Sequence, residues 1–301
     1  MDYKHRFGQK YDCLLFDLDD TLYPLSTGLA SAVLNNIKVY MVEKLGIEES
    51  KIHDYCNLLY KNYGTTMAGL RAIGYNFDYD EYHSIVHGRL PYGNLKPDPV
   101  LRNILLNLPV RKVIFTNADK VHAAEVLNRL GLEECFESII CFETLNPVHK
   151  NSAFDGEGDL EFTRLGGSAT ADDNLTAGAN EAEIFDIIGH FTKPDAGFSI
   201  LPKTPVVCKP SESAIELALK IANINPRKTL FFEDSVRNIQ AGKRVGLDTV
   251  LVGHSQKVKG ADYVLENMHN LREALPELWE CDMKTEVAYP AKVSVETSVT
   301  A

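Results

Sequence analysis

The sequence predicts a doubly wound α/β fold, a parallel sheet with helices on both faces, carrying a helical module inserted after its first strand. Three observations lead there. From Val100 onward, short apolar runs alternate with helical patterns, the order expected of parallel strands joined by crossovers. Four apolar runs end in polar clusters, and the carboxyl edge of an open α/β sheet is where ligands bind. Between the first and second of these runs, residues 27 to about 106 show little strand signal.

Cys13 to Phe16 reads as a short buried strand. Asp17 and Asp19 follow it two residues apart, and side chains at that spacing on an extended chain point the same way. One carboxylate can then be a nucleophile and the other a proton donor, chemistry suited to moving a phosphoryl group through an aspartyl-phosphate. Taken alone, either could instead cap the next helix. Helices are expected at Thr27 to Leu45, Lys51 to Tyr63, Thr66 to Ile73 and Tyr79 to His87, punctuated by Gly46, Gly64, Gly74 and Gly88.

A helix face from Val100 to Leu108 precedes strand Val113 to Thr116, which closes on Asn117. Helix Ala118 to Leu130 ends at Gly131, and strand Glu137 to Phe142 follows. The run Val206-Val207-Cys208, read as a strand, delivers Lys209. Then come helix Glu212 to Ala222, strand Thr229 to Glu233 ending at Asp234, helix Ser235 to Val245 and strand Thr249 to Val252. Pro147 to Asn180 is rich in small and polar residues and cannot bury enough surface to offset its ordering entropy. The expected division is therefore a core of residues 11–24 and 100–281, interrupted by a disordered insertion at 148–181. A helical module spans 25–99, a short helix from Glu183 to His190 returns the chain, and a flexible tail covers 282–301.

The chain has 301 residues and a formal net charge of -11, which argues against a broad nucleic-acid or anionic-membrane footprint. No secretory or membrane segment is visible, so cytoplasm is the expected compartment, with entry to the nucleus undecided. The six cysteines form no CxxC pair and read as buried free thiols. His83 and His87 stand i, i+4, a spacing that can bind zinc. No third ligand is evident in the sequence, and a solvated or substrate-facing pair is the better reading. Tyr79, Tyr82 and Tyr92 are expected to pack the helical module. Nothing in the sequence sets an oligomeric state.

The ordered set FDLDDTLYP (Phe16 to Pro24), FTNADK (Phe115 to Lys120), CKPS (Cys208 to Ser211) and FEDSVRNIQAG (Phe232 to Gly242) resembles the four motifs of the haloacid dehalogenase-like hydrolases. Most of residues 11 to 255 is covered. Together with Tyr63 to Leu70 and Leu95 to Asp98, the motifs resemble the branch of yeast-type pyrimidine 5′-nucleotidases and plant xanthosine monophosphate phosphatases. The resemblance implies a Rossmannoid core with a helical cap, and a magnesium-dependent phosphomonoesterase. It implies Asp17 as nucleophile, Asp19 as acid and base, and Lys209 as the cation neutralising Asp17 and phosphate. Thr116 and Asn117 would bind phosphate oxygens, though a helix cap explains them equally. Mg2+ would be held by Asp17, a backbone carbonyl at Asp19, Asp234 and, directly or through water, Glu233. Thr21 would set the turn, Asp20 has no assigned role, and Asn238 could orient a water.

A dehalogenase does not need Asp19, a phosphomutase usually carries Gly-Val where this chain has Asp20-Thr21, and a P-type ATPase would show Lys-Thr-Gly-Thr and membrane helices. Hydrolysis of a small phosphomonoester remains, most simply a nucleoside 5′-monophosphate read by Tyr63, Thr65 and Arg71. A sugar phosphate, or a scaffold role on a retained phosphatase fold, is the alternative; a protein phosphatase is disfavoured by the cap.

Overall fold

The computed structural model describes residues 10–147, 184–192 and 200–279. The expected insertion at 148–181, the tail at 282–301 and Cys281 lie outside the described residues. Strands β1 (Cys13–Phe16), β2 (Arg111–Phe115), β3 (Ser138–Ile140), β4 (Thr229–Glu233), β5 (Asp248–Val252) and β6 (Tyr263–Leu265) form one parallel sheet in the order β3-β2-β1-β4-β5-β6. Strand β1 lies between β2 and β4, with Leu15 opposite both Val113 and Phe231. Parallel strands covered on both faces read as continuous apolar runs, which is why β1, β2 and β4 were legible.

Alternation along the strands divides the core into two layers. Leu14, Phe16, Ile114 and Phe232 pack into one, where the Phe16 and Phe232 rings stack at 4.5 Å. Cys13, Leu15, Phe115 and Phe231 pack into the other.

Helices α1 (Leu29–Glu43), α2 (Glu49–Tyr63), α3 (Thr66–Ala72) and α4 (Tyr79–Val86) form the module after β1. Asp78 starts α4 by accepting the Glu81 N–H, and Thr65 starts α3 by accepting the Ala68 N–H. Helices α5 (Pro99–Leu106) and α6 (Lys120–Leu130) cover the first layer. Then come α7 (Phe142–Leu145), α8 (Ile187–Thr192), α9 (Glu212–Ile221) and α10 (Val236–Val245), of which α9 and α10 cover the second layer. A short α11 (Leu271–Ala274) follows β6.

Several expectations change. Val206 to Cys208 is not a strand. The segment is held by asparagine side chains instead of a ladder: Asn146 accepts from Val207 N–H (2.8 Å) and donates to Val207 C=O (3.0 Å). The run expected to be strand through Phe142 stops at Ile140, and Phe142 begins α7. Helix α6 starts at Lys120 because Asp119, not Thr116 or Asn117, accepts the Val121 and His122 N–H groups. Strand β6 gave no signal in the sequence. The returning segment joins the helical module: Ile187 is buried in its apolar cluster, and Phe185 N–H bonds Ile73 C=O at 2.9 Å.

The five described cysteines are free and buried. Among the described residues, no helix is long and apolar enough to cross a membrane. Tyr82 does pack the module, edge-on to Tyr40 at 5.0 Å. Helix α3 approaches α2 closely at Gly69, where a Cβ would come within 2.5 Å of Leu59 Cβ. Gly69→Ala is therefore expected to lower stability by about 1–3 kcal/mol, the usual cost of overpacking. Urea unfolding checks this, and an unchanged midpoint would show that α2 and α3 separate freely.

Candidate active site

The carboxyl ends of β1, β2 and β4 meet below the helical module around a cavity of about 310 Å3. Its walls include Asp17, Thr116, Lys209 and Asp234 from the core, and Val33, Thr65 and His83 from the module. At its floor lies the Lys209 ammonium, 1% exposed. It donates to Asp17 Oδ1 at 2.6 Å, Glu233 Oε2 at 2.8 Å and the Phe115 carbonyl at 2.9 Å. Asn117 holds the backbone from which Lys209 reaches: its Oδ1 accepts the Lys209 N–H (2.9 Å) and its Nδ2 donates to the Lys209 carbonyl (3.1 Å). From the module, Gly64 presses so closely that a Cβ there would lie 2.4 Å from the same carbonyl oxygen.

Asp17 also accepts from Thr21 Oγ1 at 3.0 Å. Its carboxyl is pushed up to about 7 by burial and by Glu233, against the pull of Lys209. Glu233 rises to about 7, mainly from burial. Asp234 rises to about 6, through burial and the nearby Asp17. One ammonium thus faces three acids whose oxygens lie within 4.8 Å of one another. Asp20, with a left-handed φ of 58°, adds a buried Oδ1 that has no hydrogen bond. Crowded, incompletely neutralised carboxylates with an unsatisfied oxygen fit a hard divalent cation, which prefers oxygen ligands. Asp17 already accepts one hydrogen bond at each oxygen, from Lys209 and Thr21, and would offer its remaining lone pairs beside Asp234. Glu233 is likewise engaged at both oxygens, by Lys209 and by the Ser235 N–H at 3.1 Å.

Asp19 has a different environment. Its Oδ1 accepts from Tyr23 OH at 2.5 Å and meets His122 Nε2 at 2.7 Å. Burial alone would raise its carboxyl, but His122 and Tyr23 bring it down to about 2. The His122 imidazole is correspondingly raised, Asp19 outweighing burial. Tyr92 OH meets the other ring nitrogen of His122 at 2.8 Å, so this tyrosine serves the site as well as packing. Sequence reasoning missed Tyr23 and His122. Tyr23 stands four residues past Asp19, a detectable spacing; His122 had no signal beyond lying near Thr116 and Asn117.

The other expected residues are distributed unevenly. Thr116 is 1% exposed and its Oγ1 accepts the Ala118 N–H at 3.0 Å. Thr65 lines the cavity, whereas Tyr63 and Arg71 do not. Arg71 turns toward the Tyr75 carbonyl, Asn76 and the Phe77 and Tyr79 rings. Asn238 is 9% exposed and lines the cavity, so it is not a free surface residue. His83 is buried at 7% exposure and both His83 and His87 line the cavity, which rules out the solvated alternative and fits the substrate-facing one.

Residues 167–246 match the haloacid dehalogenase-like hydrolase family. The chain is 30% identical over 143 residues to Phosphate metabolism protein 8 of Saccharomyces cerevisiae, a match covering 45% of this chain and 44% of that relative. The match thus spans less than half the length of the curated relative. Among solved structures, it is similar to CbbY from Rhodobacter sphaeroides in complex with phosphate. The identity is 15%, the TM-score 0.49, and coverage 89% of this chain and 99% of that one. It is also similar to a HAD phosphatase from Thermococcus onnurineus, at 16% identity and TM-score 0.47, covering 88% and 97%.

The charge crowding has a measurable sign. Unfolding returns Asp17 to the ordinary carboxylate range, so between pH about 4 and 7 the native state binds its proton more tightly and wild-type stability falls as pH rises. The neutral isostere Asp17→Asn escapes that loss. In metal-free urea unfolding, the stability of Asp17→Asn relative to wild type is expected to increase across this window. A relative stability that decreases would mean that the attraction of Lys209 outweighs burial and Glu233.

Proposed function

We propose that the protein is a magnesium-dependent phosphomonoesterase and that its substrate is a nucleoside 5′-monophosphate. The observation that carries the phosphatase reading is Asp17 itself. It stands at the end of the central strand, 2.6 Å from a buried ammonium and beside two further acids, at the floor of a cavity with room for a small molecule only. In this reading the core is residues 11–24 and 100–281, and 25–99 is the cap that closes over the substrate.

Asp17 attacks phosphorus and forms an acyl-phosphate, which water then hydrolyses. Lys209 orients Asp17 and offsets charge on the phosphoryl oxygens, with Glu233 fixing the ammonium. Thr116 and Asn117 contribute to binding those oxygens; since the Asn117 amide is committed to Lys209, its contribution falls to the main chain. Asp17, Asp234 and the Asp19 carbonyl would hold the magnesium, with Glu233 beside them, and the ion would supply positive charge to the phosphoryl group when bound. Asp19 transfers the proton of the leaving oxygen. His122, raised by Asp19 and bonded to it, is the group placed to hold this proton, and the two act as a proton-carrying pair.

Catalytic groups touch only the phosphoryl group, so discrimination comes from remote contacts. Thr65 on the cap lines the cavity, as do Tyr60 and Arg237, whose guanidinium lies 4.1 Å over the Tyr60 ring. The nucleoside reading is supported by these groups and by the resemblance of Tyr63 to Leu70 to the nucleotidase branch.

Asp17→Asn is expected to abolish phosphate release, and exhaustive chelation to do the same until magnesium is restored. Unchanged rates in either case would overturn the mechanism. A panel of nucleotides and sugar phosphates should place a nucleoside 5′-monophosphate first in kcat/KM; a sugar phosphate in first place would sink the nucleotide assignment alone. Proton donation has its own signature. His122→Asn should slow nucleotide hydrolysis by roughly 10²-fold while slowing p-nitrophenyl phosphate far less, because a good leaving group needs little protonation. Equal slowing of both substrates would make His122 a structural residue only.

A further inference from the structure

We propose that His83, His87 and Asp119 form a second metal site, selective for zinc-like transition ions, that fastens the helical cap to the core. Helix α4 and its C-cap place the two imidazoles on one face, and the core supplies the carboxylate that the sequence alone did not reveal. One ligand atom from each of the three residues lies within 4.8 Å of the others. His87 Nδ1 contacts Asp119 Oδ1, and His83 Nδ1 stands 3.6 Å from that same oxygen.

The second observation is His83 itself. It is 7% exposed, and neither of its ring nitrogens has a hydrogen bond. A buried polar group without a partner carries a desolvation cost of about 1–3 kcal/mol, so a fold that keeps one has a use for it. Burial also drives its imidazole down to about 4, which leaves a neutral lone-pair donor near neutral pH.

Asp119 is oriented for the same task. Its Oδ2 accepts the Val121 and His122 N–H groups at 3.0 and 3.2 Å, which caps α6 and leaves Oδ1 turned to the histidines. A ligand held this way by the surrounding backbone is the arrangement found around protein-bound metals. Two imidazoles and one carboxylate form the donor set of a three-ligand zinc site with an open position. The acids around Asp17 offer only oxygen, suited to magnesium, so the two sites sort ions by ligand type. His83 and His87 line the cavity wall and Asp119 does not, so the open position lies on the substrate's side of the cap seam.

The test is Co2+ binding by visible absorption in the full chain, with excess Mg2+ present to occupy the oxygen site. Wild type and Asp234→Asn should each show one equivalent of ligand-field absorption with tetrahedral intensity, displaced by Zn2+. His83→Gln and His87→Ala should lose it while keeping the wild-type circular dichroism spectrum. His83→Gln retains polarity and size, which guards against loss of fold. Zn2+ should also raise the thermal midpoint of wild type and not that of His83→Gln. The proposal fails if wild type shows no such absorption, if the signal persists in His83→Gln, or if Asp234→Asn removes it. Failure in any of these ways leaves the phosphatase reading intact, since that reading rests on Asp17 and is tested without cobalt.

Discussion

One buried ammonium organises this molecule. Lys209 Nζ bonds the acid following β1, the acid ending β4 and the last carbonyl of β2, so a single cation ties together three neighbouring strand ends. Strands buried on both faces can place polar groups only where they emerge. The sheet therefore concentrates its carboxylates along one edge, and without a cation there they would repel one another. Lys209 offsets part of that charge; the carboxyls of Asp17, Glu233 and Asp234 nevertheless stay raised, first because they are buried and then because they face one another.

The lysine is placed by side chains instead of by a ladder, and the cap shares in the placement. Asn117 grips both main-chain groups of Lys209, and Asn146 grips Val207 two residues earlier. From the cap, Gly64 packs against the Lys209 carbonyl, and the Tyr63 carbonyl accepts from Cys208 Sγ at 3.5 Å. Arg237 reaches back from α10 to the Tyr60 and Lys61 carbonyls at 2.8 and 3.2 Å. A shift of the cap is therefore felt at the cation, not merely at the cavity mouth.

These details explain what could and could not be read from the sequence. Strands β1, β2 and β4 and helices α2, α9 and α10 announce themselves, because a local period decides each. Val206 to Cys208 has the composition of a strand; what holds it and the following Lys209 is two asparagines 61 and 92 residues away in sequence from their partners. Strand β6 has three residues and little period to detect. Asp17, Lys209, Glu233 and Asp234 lie in motifs, and the sheet brings them together. Tyr63 and Arg71 were singled out for their place in a polar, glycine-containing turn, but side-chain direction is set by tertiary contacts, and Arg71 turns to the Phe77 and Tyr79 rings. His122 and Asp119 depend on how α6 docks against the cap, which no local pattern encodes.

Two carboxylates two residues apart end up with opposite tendencies. Asp17 faces other acids in a dry floor and holds its proton up to about 7; Asp19 faces His122 and Tyr23 and gives its proton up down to about 2. Environments that separate paired carboxyls in this way are how one site assigns different tasks to identical groups. The separation does not arise from the Asp-Leu-Asp spacing, which treats both alike. It arises because the chain turns after Leu18, through an Asp20 in the left-handed region, and leaves Asp17 among β-strand ends while Asp19 meets the first turn of α6. An ion bound at Asp17 and Asp234 would reverse the first tendency by favouring the charged carboxylates, while His122 continues to set the second. In the proposed mechanism Asp17 would then be ionised by the cation while His122 holds the proton that Asp19 transfers, so neither task has to wait for the other.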